Sequence, residues 1–208
     1  MVRIQVKHAC RSRSRSQHKN DGKNCELEFL YDCESCGTSI EDMTEEITEI
    51  ANLQFQIHHL TTQFLPRLSL LLHTNPQVIS LHRALSEATS YASKDQVMHG
   101  KPLLSVALRQ HMRSIESEFA VNYQLLDFPD AKLERALLDV ELLQEDSVQL
   151  LWAGKELMKG KTLADYIGKN EKTKIILRLL SRDSHSTCKP IITSLTARVP
   201  KFDGFLQF

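Results

Sequence analysis

The sequence predicts an α+β fold, predominantly helical, with a ubiquitin-like strand–strand–helix start, a helical middle and a late strand pairing back onto the opening hairpin. Three observations carry that expectation. Val2, Ile4 and Val6 alternate with Arg3, Gln5 and Lys7, and Leu27, Phe29 and Tyr31 alternate with Glu28 and Leu30, the period of two expected of strands with one buried face. Ile40, Met43, Ile47, Ile50, Ile57, Leu60 and Phe64 recur at helical spacing as one apolar stripe. Far downstream, Lys174-Ile-Ile-Leu-Arg-Leu-Leu180 is apolar and β-branched at its start, which reads as a strand.

Taken in order, the two opening strands form a hairpin whose loop is swollen by a polar tract. That tract, 10–24, contains Arg11-Ser-Arg-Ser-Arg-Ser16 and has no apolar content to fold it, so it reads as a disordered insertion. The first helix starts at Ser39, with Asp42 three residues on to complete a capping-box-like signal. Glu41, Asp42, Glu45 and Glu46 crowd its first two turns, where the helix dipole favours acids, and Pro66 is expected to end it. A weaker helix spans 77–92. A stronger one follows Pro102, with Leu104, Leu108, Met112, Ile115 and Phe119 at helical spacing. Phe128-Pro129-Asp130 breaks the chain, and Asp130 is placed to cap a helix carrying Leu133, Leu137 and Val140. That helix is expected to run on through Val148, Leu151, Trp152 and Leu157 to a stop at Gly160. Thr162 and Asp165 then open one further turn, closed by Gly168. The expected organisation is one α+β domain over 1–192, followed by an atypical, poorly ordered tail over 193–208.

Composition excludes several function classes. The chain has 208 residues, enough for an ordinary core, and 41% hydrophobic with 25% charged residues is a globular balance. Equal numbers of basic and acidic residues, 26 each, leave no global field to attract nucleic acid or membrane. No apolar run approaches the roughly 18 residues that span a bilayer, and the N-terminus lacks the apolar core of an export signal. Five cysteines without such a signal read as reduced thiols in cytoplasm.

Few motifs suggest chemistry. Gly154 to Gly160, followed by Lys161 and Thr162, resembles a phosphate-binding loop, but five residues separate the glycines where the loop needs four. The stretch is also expected to continue a helix rather than follow a strand. Cys33-Glu-Ser-Cys36, with Cys25, Cys10 or His8, would make a small zinc site; reduced thiols at a turn explain it without metal. The Arg-Ser tract would suit an RNA-associated protein, yet no stacking aromatics accompany its three repeats. No Ser, Cys, Lys or His comes with a recognisable base or elbow motif, so no enzyme and no cofactor is expected. Lys169-Asn-Glu-Lys-Thr-Lys174 is different: it carries more charge than a connector requires. Lys155, Lys169, Asn170, Glu171, Lys172 and Lys174 are the candidate contact residues for an acidic protein partner.

The same region resembles a known family. Leu151-Trp152-Ala153, Lys155-Glu156-Leu157, Asp165-Tyr166 and the run from Gly168 to Ile176 are similar to the signature block of the Kurly family of cilia- and flagella-associated proteins, and Pro190-Ile-Ile192 sits where that family has the same trio. Met1-Val2, Val6-Lys7, Glu28-Phe29-Leu30, the helix from Ser39 and Lys94-Asp-Gln-Val97 resemble its earlier elements. The chain departs from the family in the 10–24 insertion, in a shorter stretch from Pro66 to Ser93, and in lacking a charged helical tail beyond Ile192. The resemblance implies a non-catalytic cytoplasmic factor, possessing no cofactor and extending in location to the cilium or basal body. It also implies that the factor works with the dynein-arm assembly machinery in ciliary motility.

Overall fold

The computed structural model describes residues 1–10, 25–73, 75–122, 133–138, 140–170 and 172–182. Strands β1 (Val2–Cys10) and β2 (Cys25–Cys33) form the expected antiparallel hairpin, in a register that runs from Val2 opposite Cys33 to Cys10 opposite Cys25. Helix α1 (Ile40–Leu71) follows, then α2 (Ile79–Tyr91), the short α3 (Asp95–Met98), α4 (Ser105–Asn122) and α5 (Leu133–Leu138). Strands β3 (Val148–Trp152) and β4 (Lys155–Glu156), the single turn α6 (Ala164–Ile167) and β5 (Lys174–Ser181) complete the order. The late strand does pair back. β5 lies parallel to β1 and antiparallel to β3, giving the sheet order β2-β1-β5-β3-β4 of a ubiquitin-like grasp.

One face of this sheet meets α1. Val2, Ile4, Val6, Phe29, Ile175, Leu177 and Leu179 share a core with Ile40, Met43, Ile47 and Ile50, all nearly or wholly buried. Farther along α1, Ile57, Leu60, Phe64 and Leu68 pack into the same core as α2 and α4, where the Phe64 ring meets Phe119 edge-on at 4.8 Å. The capping signal works as expected: the Asp42 amide donates to Ser39 Oγ at 3.0 Å. None of the helices among the described residues is long and apolar enough to cross a membrane.

A buried polar bridge ties helix to hairpin. Gln54 Nε2 donates to the carbonyls of Glu28 and Ala92 (3.2 and 2.8 Å), so its Oε1 accepts from His8 Nε2 at 2.9 Å. Burial pushes the His8 pKa below its ordinary value, and the Gln54 bond offsets that in part. At the rim of the sheet, the Leu103 amide donates to the Leu30 carbonyl at 2.9 Å, and Pro102 bridges the same residue of β2.

Four expectations need correction. The helix expected to run from Leu133 through Val140 to Gly160 stops at Leu138, and residues 148–157 are not a helix but the β3–β4 hairpin. Ala153 (φ 49°) and Gly154 (φ 82°) turn the chain in the left-handed region, which a right-handed helix excludes. The turn lets Trp152 pair with Lys155 and lets β3 hydrogen-bond along β5, a ladder that no local spacing reveals. Pro66 does not end α1, which continues to Leu71. Burial of Phe64 and Leu68 on either side offsets the roughly 3 kcal/mol that an internal proline costs. Leu104 is 58% exposed, and Leu103 fills the core in its place. β1 extends through Cys10, one residue into the expected insertion. The rest of that insertion, Asp130 and the 193–208 tail lie outside the described residues.

Two outcomes test this packing. Phe29→Ala should cost about 3–5 kcal/mol in urea unfolding, as a full aromatic deletion in a core does, whereas Leu104→Ala should change little. His8 titrates lower folded than unfolded, so its contribution to stability is complete above about pH 6.5 and is lost as pH falls towards its folded pKa. The half-buried His58, also lowered by burial, adds a loss of the same sign. Unfolding midpoints measured from pH 7.5 to 5.5 should therefore fall, less steeply in His8→Gln.

Candidate partner-docking surface

The lysine-rich turn is built by the two elements it joins. α6 is opened by Asp165, whose Oδ2 accepts from the Thr162 amide and hydroxyl (2.8 and 3.0 Å), bonds that hold its carboxyl below the usual range. The chain before it is strapped to the β2–α1 turn: the amides of Ile40, Leu163 and Ala164 donate to the carbonyls of Lys161, Thr38 and Cys36. Gly168 ends the turn at φ 75°, its amide donating to the Ala164 carbonyl. Asn170 then folds the loop on itself. Its Oδ1 accepts from the Lys172 amide (3.1 Å), and its carbonyl accepts from the Thr173 hydroxyl and amide. The Arg3 amide donates to the Thr173 carbonyl at 3.2 Å, which hangs the loop on β1.

On this frame Lys169, Lys172 and Lys174 stand exposed, with no ion pair or hydrogen bond to any described side chain. Lys155 is also exposed, on β4 of the hairpin and not on a helix flank as expected. The register of β3 against β5 puts the β3–β4 turn at the end of the sheet where β5 begins, so Lys155 belongs to the same end as the loop. Asn170 is a structural member of the set, and Glu171 lies outside the described residues. Other nearby lysines are engaged: Lys159 pairs with Asp146 at 3.5 Å, and Lys161 sits 5.7 Å over the Tyr166 ring.

Two other motifs can be placed in the fold. The Gly154–Gly160 stretch follows strand β3, so the objection that it continues a helix falls away. The spacing objection stands, and Lys161 and Thr162, which would face a phosphate, are taken up by Tyr166 and Asp165. Cys33 and Cys36 are buried, with Cys33 Sγ donating to the Ser35 carbonyl at 3.1 Å. The hairpin register sets Cys33 opposite Val2 and Cys25 opposite Cys10, so the two cysteine pairs sit at opposite ends of strands about 27 Å long. His8, near the far end, is spent on Gln54. The zinc arrangement of Cys33 and Cys36 with Cys10, Cys25 or His8 is therefore excluded by distance. The Arg-Ser tract lies outside the described residues.

Sequence reasoning missed Ile176 and Arg178. Ile176 is 54% exposed at the middle of β5, where the strand buries Ile175, Leu177 and Leu179 and presents Lys174, Ile176 and Arg178 outward. The signal was available: a strict period of two puts both cations on one face with one isoleucine between them.

Asn170→Ala should lower stability by about 1 kcal/mol, the net worth of a lost turn hydrogen bond, while Lys169→Ala and Lys172→Ala leave the melting midpoint in place. Thermal unfolding of the three variants separates the residue that shapes the loop from those that only decorate it.

Comparison with known proteins points to the same block. Residues 148–196 match the family described as cilia- and flagella-associated protein 298. The chain is 30% identical over 125 residues to cilia- and flagella-associated protein 298 of Mus musculus, covering 55% of this chain and 43% of the relative. Against the Danio rerio protein the figures are 27% over 124 residues, 55% and 43%. The form named 298-B in Xenopus laevis is 56% identical over 41 residues, 20% of this chain and 15% of the relative. The matched region thus spans under half the length of these curated relatives. No solved structure matches the chain. In the block from β3 to β5 that carries the lysine loop, and more thinly over half its length, this chain is similar to cilia- and flagella-associated proteins.

Proposed function

We propose that this chain is a non-catalytic adaptor of the cytoplasm that serves cilia, acting in the assembly of axonemal dynein arms and so in cilium movement, with access to the cilium or basal body. The observation that carries the reading is the exposed trio Lys169, Lys172 and Lys174, without a partner among the described residues, held on a locked turn inside the block shared with relatives named for cilia and flagella. A connector has no use for three exposed lysines so close together; a surface that selects an acidic protein partner does. Lys155 is assigned to the same surface. The ciliary part of the reading is supported by the names of the relatives, and the dynein-arm part by the resemblance of the signature block from Leu151 to Ile176.

Affinity purification of the tagged full chain from the cytoplasm of ciliated cells should recover axonemal dynein chains or their assembly factors. Lys169→Glu with Lys172→Glu and Lys174→Glu should cut that recovery about tenfold with the melting midpoint unchanged. Recovery of spliceosomal proteins and RNA instead would transfer the function to the Arg-Ser tract, and a variant that fails to fold would make the loop structural.

A further inference from the structure

The outer face of the sheet, turned away from α1, carries an uneven charge pattern. On β1 and β2 both cations are met across the strands, and Glu26 stands exposed at the far end of β2. Arg3 forks onto Asp32 (2.9 and 3.0 Å), and Lys7 meets Glu28 at 3.7 Å, a carboxylate that also accepts from Gln5. On β5, Lys174 lies beside Arg3 and Arg178 beside Lys7 in the parallel register. Neither has an acidic partner among the described residues. The nearest acid on the β3–β4 side, Glu156, is held by Arg182 at 3.0 Å and Gln149 at 3.1 Å. Between these two free cations Ile176 is half-exposed, level with Gln5.

Lys174 and Ile176 of this row line an open groove of about 470 Å³ together with Gln5, Leu30, Val97 and Met98, and Arg178 follows two residues farther along β5. Met98, 83% exposed on α3, is a soft, adaptable wall. Gly100 closes the wall at φ 67°, and a Cβ there would lie 3.6 Å from Arg3 Nη1. An apolar strip and a cationic row without acidic partners among the described residues thus share the outer face of the sheet.

We propose that this face is the docking groove for an extended acidic segment of a protein partner with the pattern acid–any–apolar–any–acid. The spacing follows from strand geometry: side chains on one side of an extended chain recur every two residues at about 6.6 Å, which matches the step from Lys174 to Ile176 to Arg178. The two acids meet the cations, and the apolar residue covers Ile176 and Met98. The chain's own undescribed stretches are poor occupants. The 11–24 tract has five basic residues against Asp21, 183–208 has Lys189, Arg198 and Lys201 against Asp183 and Asp203, and the acids of 123–132, Asp127 and Asp130, are three residues apart and not four. The inference rests on the reading that this chain captures an acidic protein partner, and it moves the centre of capture from the loop to the sheet.

Selection from a displayed library of random twelve-residue peptides on the immobilised full chain tests it. The expected enriched peptides place Asp or Glu two residues either side of Leu, Ile, Met or Phe. Their enrichment should drop about tenfold or more in Lys174→Glu/Arg178→Glu and in Ile176→Ser, and persist in Lys169→Glu/Lys172→Glu. All these positions are exposed, so circular dichroism and melting should be unchanged; should the double charge reversal unfold, Met98→Ser reads the same groove from α3. The inference is overturned by enrichment of basic peptides, by no enrichment, or by enrichment indifferent to Lys174, Ile176 and Arg178. Loss confined to Lys169→Glu/Lys172→Glu overturns the groove and leaves the loop standing. Acidic-peptide capture by a chain that retrieves no axonemal protein keeps the groove and removes the ciliary assignment.

Discussion

The parallel pairing of β1 with β5 is the constraint on which the rest of the structure depends. It joins the first described strand to the last, Arg3 beside Lys174 through His8 beside Leu179, and so closes nearly the whole helical middle into one loop. Closing a long loop costs little more than closing a moderate one, because the entropy grows only as the logarithm of its length. Its burden falls on folding rate, since the edge of β5 away from β3 has no strand partner until β1 is in place. Two buried faces supply the return. Ile4, Val6, Leu177 and Leu179 reach α1 on one side, and β3 completes the ladder on the other edge of β5. The lysine loop inherits its position from this pairing, because Arg3 at the start of β1 holds Thr173 at the entry to β5.

The elements legible in the sequence are those whose signal is local. The alternation in β1 and β2, the Ser39 cap, the stripe of α1, the stop at Gly168 and the β-branched opening of β5 all depend on neighbours within a few residues. The β3–β4 hairpin was not legible for the opposite reason. Val148, Leu151 and Trp152 suit a helix as well as a five-residue strand, and only the distant β5 decides between them. Its one local clue was Gly154, whose left-handed backbone breaks any helix. Pro66 was misread because the rule for a proline inside a helix is written for isolated helices. Here Phe64 and Leu68 are held in a core, and tertiary packing outweighs the local penalty.

For the candidate site, composition singled out a segment but not its division of labour. Lys169, Lys172 and Lys174 are exposed, with no partner among the described residues. Asn170, grouped with them, is the residue that shapes the turn, a role visible only once Oδ1 is seen on the Lys172 amide. Arg178 and Ile176 escaped notice because Lys174 to Leu180 was read as an apolar strand without assigning its residues to two faces. Their exposure is a property of the sheet, which has α1 on one side and the short α3 covering only part of the other.

The rim of the sheet has a consequence for how this chain meets others. At β2 the backbone is occupied midway by Leu103, and at the opposite edge β4 is two residues long. Neither edge offers a long run of unpaired amides and carbonyls, the template on which chains add strand to strand. Self-assembly into ribbons or fibrils, which is blind to side-chain identity, is thereby discouraged at both rims. Recognition is left to side chains on the faces, where contacts are screened by salt, reversible, and open to tuning one residue at a time.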